Sequence, residues 1–169
     1  MRRSDAGPPT TRPVLALAAL ALAFAMPVAT AHAAGDTVEG PARATDGDTV
    51  VVGGRTVDLF GVVAPALDQD CLEWRGRRQT RYPCGRHALA LLASLVAGRT
   101  VVCVMTERPV GNGREGTCYT DGRDLAETLV TAGWAVARAE RTNRYVATQE
   151  RARAAKRGLW AGSFALPRR

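Results

Sequence analysis

Four cysteines, Cys71, Cys84, Cys103 and Cys118, are the only thiols of the chain, and whether they are oxidised decides what it can fold into. The N-terminal residues bear on that question. Arg2, Arg3 and Arg12 precede an unbroken apolar run from Val14 to Met26, Pro27 ends the run, and Ala31-His32-Ala33 has the small-x-small form that a signal peptidase accepts. The run is shorter than the ~18 residues a bilayer span needs. Residues 1–33 are therefore expected to be a cleaved export signal and residues 34–169 the mature domain, with an uncleaved N-terminal anchor as the alternative. The residues after Arg2-Arg3 do not support twin-arginine export, and no cysteine stands at the cleavage point to carry a lipid. No later stretch reads as a membrane span, so the periplasm or the cell exterior is the expected location. Disulfides form and persist in such surroundings. Four cysteines allow three pairings, and local geometry favours Cys71–Cys84 across one loop with Cys103–Cys118 across one hairpin. Zinc is disfavoured, because structural zinc ligands usually come in close C-x-x-C pairs and none occurs here.

The chain has 169 residues, room for one ordinary domain. Its 46% apolar and 23% charged residues exclude a disordered or fibrous chain. The formal charge of +7 falls to +5 once the three arginines and the one aspartate of residues 1–33 are removed. That excess is compatible with a polyanionic partner without demanding one.

Along the mature chain, Thr49 to Val52 is β-branched, Gly53-Gly54 signals a turn, and residues 55–60 alternate polar and apolar, which together predict a β-hairpin. Residues 62–83 are rich in Pro, Asp, Gln, Arg and Gly without periodicity, and are expected to be a long loop fastened by Cys71–Cys84. Leu89, Leu91, Leu92, Leu95 and Val96 then form a helical face ending at Gly98. Residues 99–105 and 115–120 read as strands placing Cys103 opposite Cys118, with residues 107–113 as their connection and Asp121-Gly122 as the following turn. Asp124 caps a short helix that Gly133 closes, and a last helix is expected over residues 145–157. Five strand segments, with one helix between the third and fourth and two after the fifth, predict an α+β fold: a five-stranded β-barrel of the oligonucleotide-binding (OB) type with about three helices packed on it.

The residues Asp46-Gly47-Asp48-Thr49, residues 59–65 (LFGVVAP), Gly113-Arg114 and Gly133-Trp134-Ala135 follow one another in the order of a known family. The chain resembles the thermonuclease, or staphylococcal nuclease-like, family from about Pro41 onward. The cysteine-bearing loop, residues 158–162 (GLWAG) and the tail Pro167-Arg168-Arg169 are similar to its exported bacterial branch. The resemblance implies an OB-type barrel that cleaves nucleic-acid phosphodiesters using calcium, two carboxylates near the metal, a glutamate base and two phosphate-binding arginines. Calcium needs hard oxygen ligands, the attacking water a base, and the charge gathering on phosphorus cations.

Carried over position by position, the metal carboxylate of the DGDT motif falls on Asp48, with Asp46 beside it, and one arginine falls on Arg114. The other arginine position holds Asp58, the second metal carboxylate position holds Val63, and the base position holds Ala66. Asp68 and Asp70 are the nearest carboxylates that could swing inward as replacements. An impaired or inactive nuclease is therefore expected, with an incomplete, weak calcium site and a residual role in binding nucleic acid, another polyanion or an envelope protein; a calcium-dependent nuclease is the alternative. A monomer is expected. Asp58 is expected to pair with Arg114. The Asp46-Gly47-Asp48 stretch also has a plain structural reading as a capped turn, and Trp134 and Trp160 read as anchors of chain segments. His87 reads as a surface helix residue, and Arg151, Arg153, Lys156 and Arg157 as a solvated face. Trp74, set among Arg75, Arg77, Arg78 and Arg81, is expected to lie over the Cys71–Cys84 bridge, with stacking on a nucleobase as the other reading.

Overall fold

A computed structural model describes residues 36–107 and 114–165. The expected export signal, most of the 107–113 connection and the Pro167-Arg168-Arg169 tail lie outside the described residues.

The chain builds an α+β fold around a closed barrel. Its strands are β1 (Thr37–Asp46), β2 (Thr49–Val52), β3 (Arg55–Leu59), β4 (Val62–Val63), β5 (Cys71–Arg75) and β6 (Arg78–Tyr82). Helix α1 (Cys84–Val96) follows, then β7 (Thr100–Met105), β8 (Glu115–Thr120), β9 (Arg123–Asp124), α2 (Leu125–Ala132), β10 (Val136–Ala137) and α3 (Val146–Ala154). A 3-10 turn over Gly158–Ala161 leads into β11 (Gly162–Ser163). Strands β3, β2, β1, β7 and β8 pair in that order, all antiparallel, and a parallel β3–β8 pairing closes the ring. This is the five-stranded OB-type barrel that the pattern predicts, with three helices against it.

Alternation builds the inside. Val50, Val52, Val57, Val101, Cys103 and Cys118 are fully enclosed, with Leu59 beside them. Helix α1 contributes Ala88, Leu92 and Val96, spaced four residues apart on one face. This stripe lies beside the predicted one, whose Leu89, Leu91 and Leu95 are less deeply set. The α2 boundaries agree with the sequence: Asp124 accepts the Glu127 N–H at 3.2 Å, and Gly133 ends the helix in the left-handed region at φ 78°. The last helix is shorter than expected, because only Val146–Ala154 is helical. The first strand, β1, has no clear sequence signature: Gly40-Pro41 interrupts it and a bulge lies between Ala44 and Asp46.

Both disulfides have the expected pairing, Cys71–Cys84 and Cys103–Cys118. Residues 62–83, however, are not a loop. They hold β4, which pairs with β10, and the β5–β6 hairpin, which β11 extends to three strands. Both faces of this hairpin carry polar residues, so it lacks the apolar alternation that marks a half-buried strand. Trp74, expected over the bridge, stands opposite Gln79 on the hairpin, is 57% exposed and is not among the residues clustered around the bridge. Cys71 and Cys84 sit in a second apolar cluster with Val63, Val136 and Leu159, flanked by Tyr82, Trp134, Trp160 and Phe164. His87 is exposed on α1, as expected, and stacks on Trp134 at 5.2 Å. Among the described residues no helix is long and apolar enough to cross a membrane.

Candidate functional site

The matched positions converge at one end of the barrel, drawn together by the backbone. Asp48 follows the turn between β1 and β2. It is only 1% exposed, and its Oδ2 accepts the Ala64 N–H at 2.8 Å while its carbonyl accepts the Leu59 N–H at 2.8 Å. One carboxylate thus ties β2 to the segment after β3. Gly47 has no side chain for a packing reason: a Cβ there would lie 2.7 Å from the Cβ atoms of both Ala64 and Ala88. Asp46 closes the turn by accepting the Gly47 N–H at 2.7 Å. The DGD stretch therefore performs the structural work of a capped turn.

Thr49 and Asp58 are register partners, and the Thr49 hydroxyl lies 2.8 Å from Asp58 Oδ1 and 3.4 Å from Asp48 Oδ1. Its single proton serves the nearer carboxylate. Asp58 meets Arg114 through the backbone, its N–H donating to the Arg114 carbonyl at 2.8 Å. Their side chains do not appear as a direct ion pair among the described residues: the bond found for the Asp58 carboxylate runs to Thr49, and the Arg114 side chain is exposed. Val63 is buried against Val136 on β10, whereas Ala66 is exposed. The Ala66 carbonyl accepts the Gln69 N–H in a turn that carries Asp68 and Asp70 outward, and Asp70 faces Arg81 at 3.5 Å.

Calcium takes six to eight oxygen ligands. The residues here do not fit that demand: Asp48 is enclosed and hydrogen-bonded to the backbone, Val63 offers no oxygen, and no three His, Cys, Asp or Glu side chains among the described residues are grouped to hold a metal ion.

Sequence reasoning missed the network beside this region. Glu115 stands next to Asp58 in the parallel β3–β8 register, is 9% exposed, and pairs with Arg141, with Arg138 Nη1 at 3.9 Å. Arg141 also lies 5.5 Å over the Phe60 ring. Arg138 donates to Glu140 at 2.8 Å, which holds the Glu140 carboxyl below its ordinary range. Three residues further on, Arg144 bonds to Asp124 at 3.0 Å and to the Tyr119 hydroxyl at 3.2 Å. The enclosed Tyr145 donates to Asp124 at 2.9 Å; burial first, and the neighbouring carboxylate second, push its phenol well above the usual tyrosine range. The three-residue spacing of Arg138, Arg141 and Arg144 was the available signal. These cations clamp the segment between β10 and α3 onto the barrel, and their carboxylate partners offset most of the positive charge they bring.

Comparison with known proteins agrees with this architecture. Residues 56–162 match the family described as Staphylococcal nuclease homologue (SNase). Succinoglycan biosynthesis protein ExoI of Rhizobium meliloti (strain 1021) is 35% identical over 130 residues, covering 75% of this chain and 66% of that protein. The chain thus spans slightly less than two thirds of that relative's length. The DGDT turn precedes the matched span, which covers most of the chain, and the chain belongs to the staphylococcal nuclease homologue family.

Proposed function

We propose that this is an exported member of the family in which phosphodiester cleavage is impaired or lost and a binding role toward nucleic acid or another polyanion persists. The observation that carries this reading is the state of Asp48, whose carboxylate is buried and bonded to the Ala64 N–H rather than presented to a ligand. Asp58, Val63 and Ala66 add to it. Loss of a general base alone typically costs about 10²–10⁴ in rate. A carboxylate at the position of a phosphate-binding cation removes an attraction and adds a repulsion, each about 3 kcal/mol at ~5 Å and an effective dielectric of about 20, before solvent screening.

The relative named for succinoglycan biosynthesis supports extending the partner class to polymers other than nucleic acid. An envelope protein is the remaining partner class. Family membership itself favours a second reading, a calcium-dependent nuclease whose missing groups are supplied by other residues. The test is a cleavage assay on the oxidised, exported protein with single-stranded DNA, duplex DNA and RNA, with and without calcium. The proposed reading expects no calcium-dependent cleavage together with retention of at least one polyanion. Calcium-dependent turnover abolished by Arg114→Ala would replace it with the second reading.

A further inference from the structure

The β5–β6 hairpin stands outside the barrel and carries the most exposed large apolar side chain among the described residues, Trp74, at 57%. The other two tryptophans, Trp134 and Trp160, are partly buried and packed in the second apolar cluster. Its base is rigid. Cys71–Cys84 fastens one end to α1, and β11 pairs with β5 through Gly162 opposite Glu73 and Ser163 opposite Leu72. Beyond that base the register sets Trp74 opposite Gln79 and Arg75 opposite Arg78, with Gly76-Arg77 as the two-residue turn. Gly76 has φ 63° and Arg77 is not in the left-handed region, the pattern of a hairpin turn with glycine at its first central position.

The charge arrangement is not one that folding selects. Like charges directly opposite on paired strands are destabilising, yet Arg75 faces Arg78 with Arg77 between them in the turn. Arg75 is partly neutralised by Glu73 at 2.5 Å and Arg81 more loosely by Asp70 at 3.5 Å, both arginines remaining largely exposed. Arg77 and Arg78 enter no ion pair among the described residues. Register places Trp74 and Arg81 on one face of the hairpin and Arg75 and Arg78 on the other, with Arg77 at the tip, so cations flank the indole on its own face, around the edge and at the turn. That is the combination that tracks a nucleic-acid strand: an aromatic face for an unstacked base, and planar guanidinium donors for the phosphates on either side.

The geometry points to this hairpin as a binding site for single-stranded nucleic acid, separate from the barrel end that carries Asp48 and Asp58. A duplex hides its base faces from the indole. A lipid surface fits less well, because an inserting tip needs apolar residues at its apex and this apex is Gly76-Arg77 between two further arginines, with Trp74 set back on the flank. The inference rests on the proposed reading that the domain binds a polyanion, and it names the surface and the class.

The test measures anisotropy of a fluorescein-labelled single-stranded oligonucleotide with the oxidised, exported protein, alongside a duplex of the same sequence, phosphatidylglycerol vesicles and an acidic polysaccharide as separate ligands. Trp74→Ala is expected to weaken single-strand binding about tenfold and Trp74→Phe to restore most of it. Arg77→Glu with Arg78→Glu is expected to weaken it by at least as much and to flatten its salt dependence. Thermal unfolding of each variant should match the parent, since all three side chains are exposed. Single-strand binding unchanged in both the tryptophan and arginine variants would overturn the hairpin assignment while leaving the polyanion reading intact. Hairpin-dependent binding of the vesicles or the polysaccharide in place of the oligonucleotide would overturn the ligand class. Binding of none of the polymers would overturn both this inference and the reading on which it rests.

Discussion

Two strand pairs in this molecule share a plan and have opposite surroundings. Each is antiparallel and carries one disulfide, Cys103–Cys118 directly across β7–β8 and Cys71–Cys84 tying the start of β5 to the start of α1, with sequence separations of 15 and 13 residues. Strands β7 and β8 are barrel staves whose Val101, Cys103 and Cys118 are fully enclosed. Strands β5 and β6 rest on the core at their base, through Cys71 and Tyr82, and project Trp74 and four arginines into solvent. Both staples are buried, yet a buried staple does not make the whole strand pair part of the core. In the first pair it joins residues that packing already brings together, and in the second it anchors a projecting arm that packing alone does not hold.

The largest expected contrast comes from removing the staples. By loop-closure entropy each is worth about 3 kcal/mol. Cys103→Ala with Cys118→Ala is expected to cost that full amount in denaturant unfolding. Cys71→Ala with Cys84→Ala is expected to cost less, because the barrel stays folded while the arm loosens, and hydrogen exchange should show the loss of protection confined to residues 71–82 and β11. Equal losses with uniform exchange would erase the distinction between stave and arm.

Side-chain truncation probes the same contrast on a smaller scale. Val101→Ala empties a closed site and should cost about 2 kcal/mol, whereas Thr80→Ala, exposed on β6, should stay within about 0.5 kcal/mol. Matching losses in thermal unfolding would place the arm inside the cooperative core.

Two tyrosines sharpen the comparison further. Tyr145, beside the barrel pair, donates to Asp124, while the buried hydroxyl of Tyr82, at the end of β6, has no hydrogen-bond partner among the described residues. Tyr145→Phe is expected to cost about 1.5 kcal/mol, and Tyr82→Phe about nothing, since no hydrogen bond is lost. Both phenols titrate above their ordinary range, Tyr82 through burial and then Glu73. A raised folded-state pKa means that the stability these groups bring is complete below about pH 10 and is lost as the pH climbs through the raised values. Tyr145→Phe should therefore flatten the alkaline decline in stability. A decline unchanged by that substitution would assign it to other groups.

An equally small effect on stability is expected of Trp74→Ala, within about 0.5 kcal/mol, because the indole covers little of the core. A loss above about 2 kcal/mol would mean that the indole serves folding rather than a ligand.

The barrel was legible in the sequence where burial is one-sided. Arg55 to Leu59 alternates because Val57 and Leu59 face the core, and the Asp124 cap and Gly133 stop mark α2 because backbone geometry at helix ends admits few residue types. The β5–β6 arm was illegible for the converse reason: exposed on both faces, it needs no alternation, and its pairing rests on a two-residue turn and a staple. At the site, the family resemblance directed attention to Asp48, Asp58, Val63, Ala66 and Arg114. It could not disclose that Asp48 bonds to Ala64 or that Glu115 is held by Arg138 and Arg141, since those partners come from segments far apart in the chain.

Local chemistry in the sequence determined the two disulfides, the Gly53-Gly54 turn and the cap and stop of α2, because each depends on residue type at a fixed short spacing. Tertiary structure alone decided the parallel closure of β3 on β8. It also decided which carboxylates are enclosed and which cations they neutralise, and that Trp74 projects while Trp134 and Trp160 pack. The physical reason is that burial and charge pairing are set by whatever neighbours the completed fold brings within a few ångströms, and no local spacing records them.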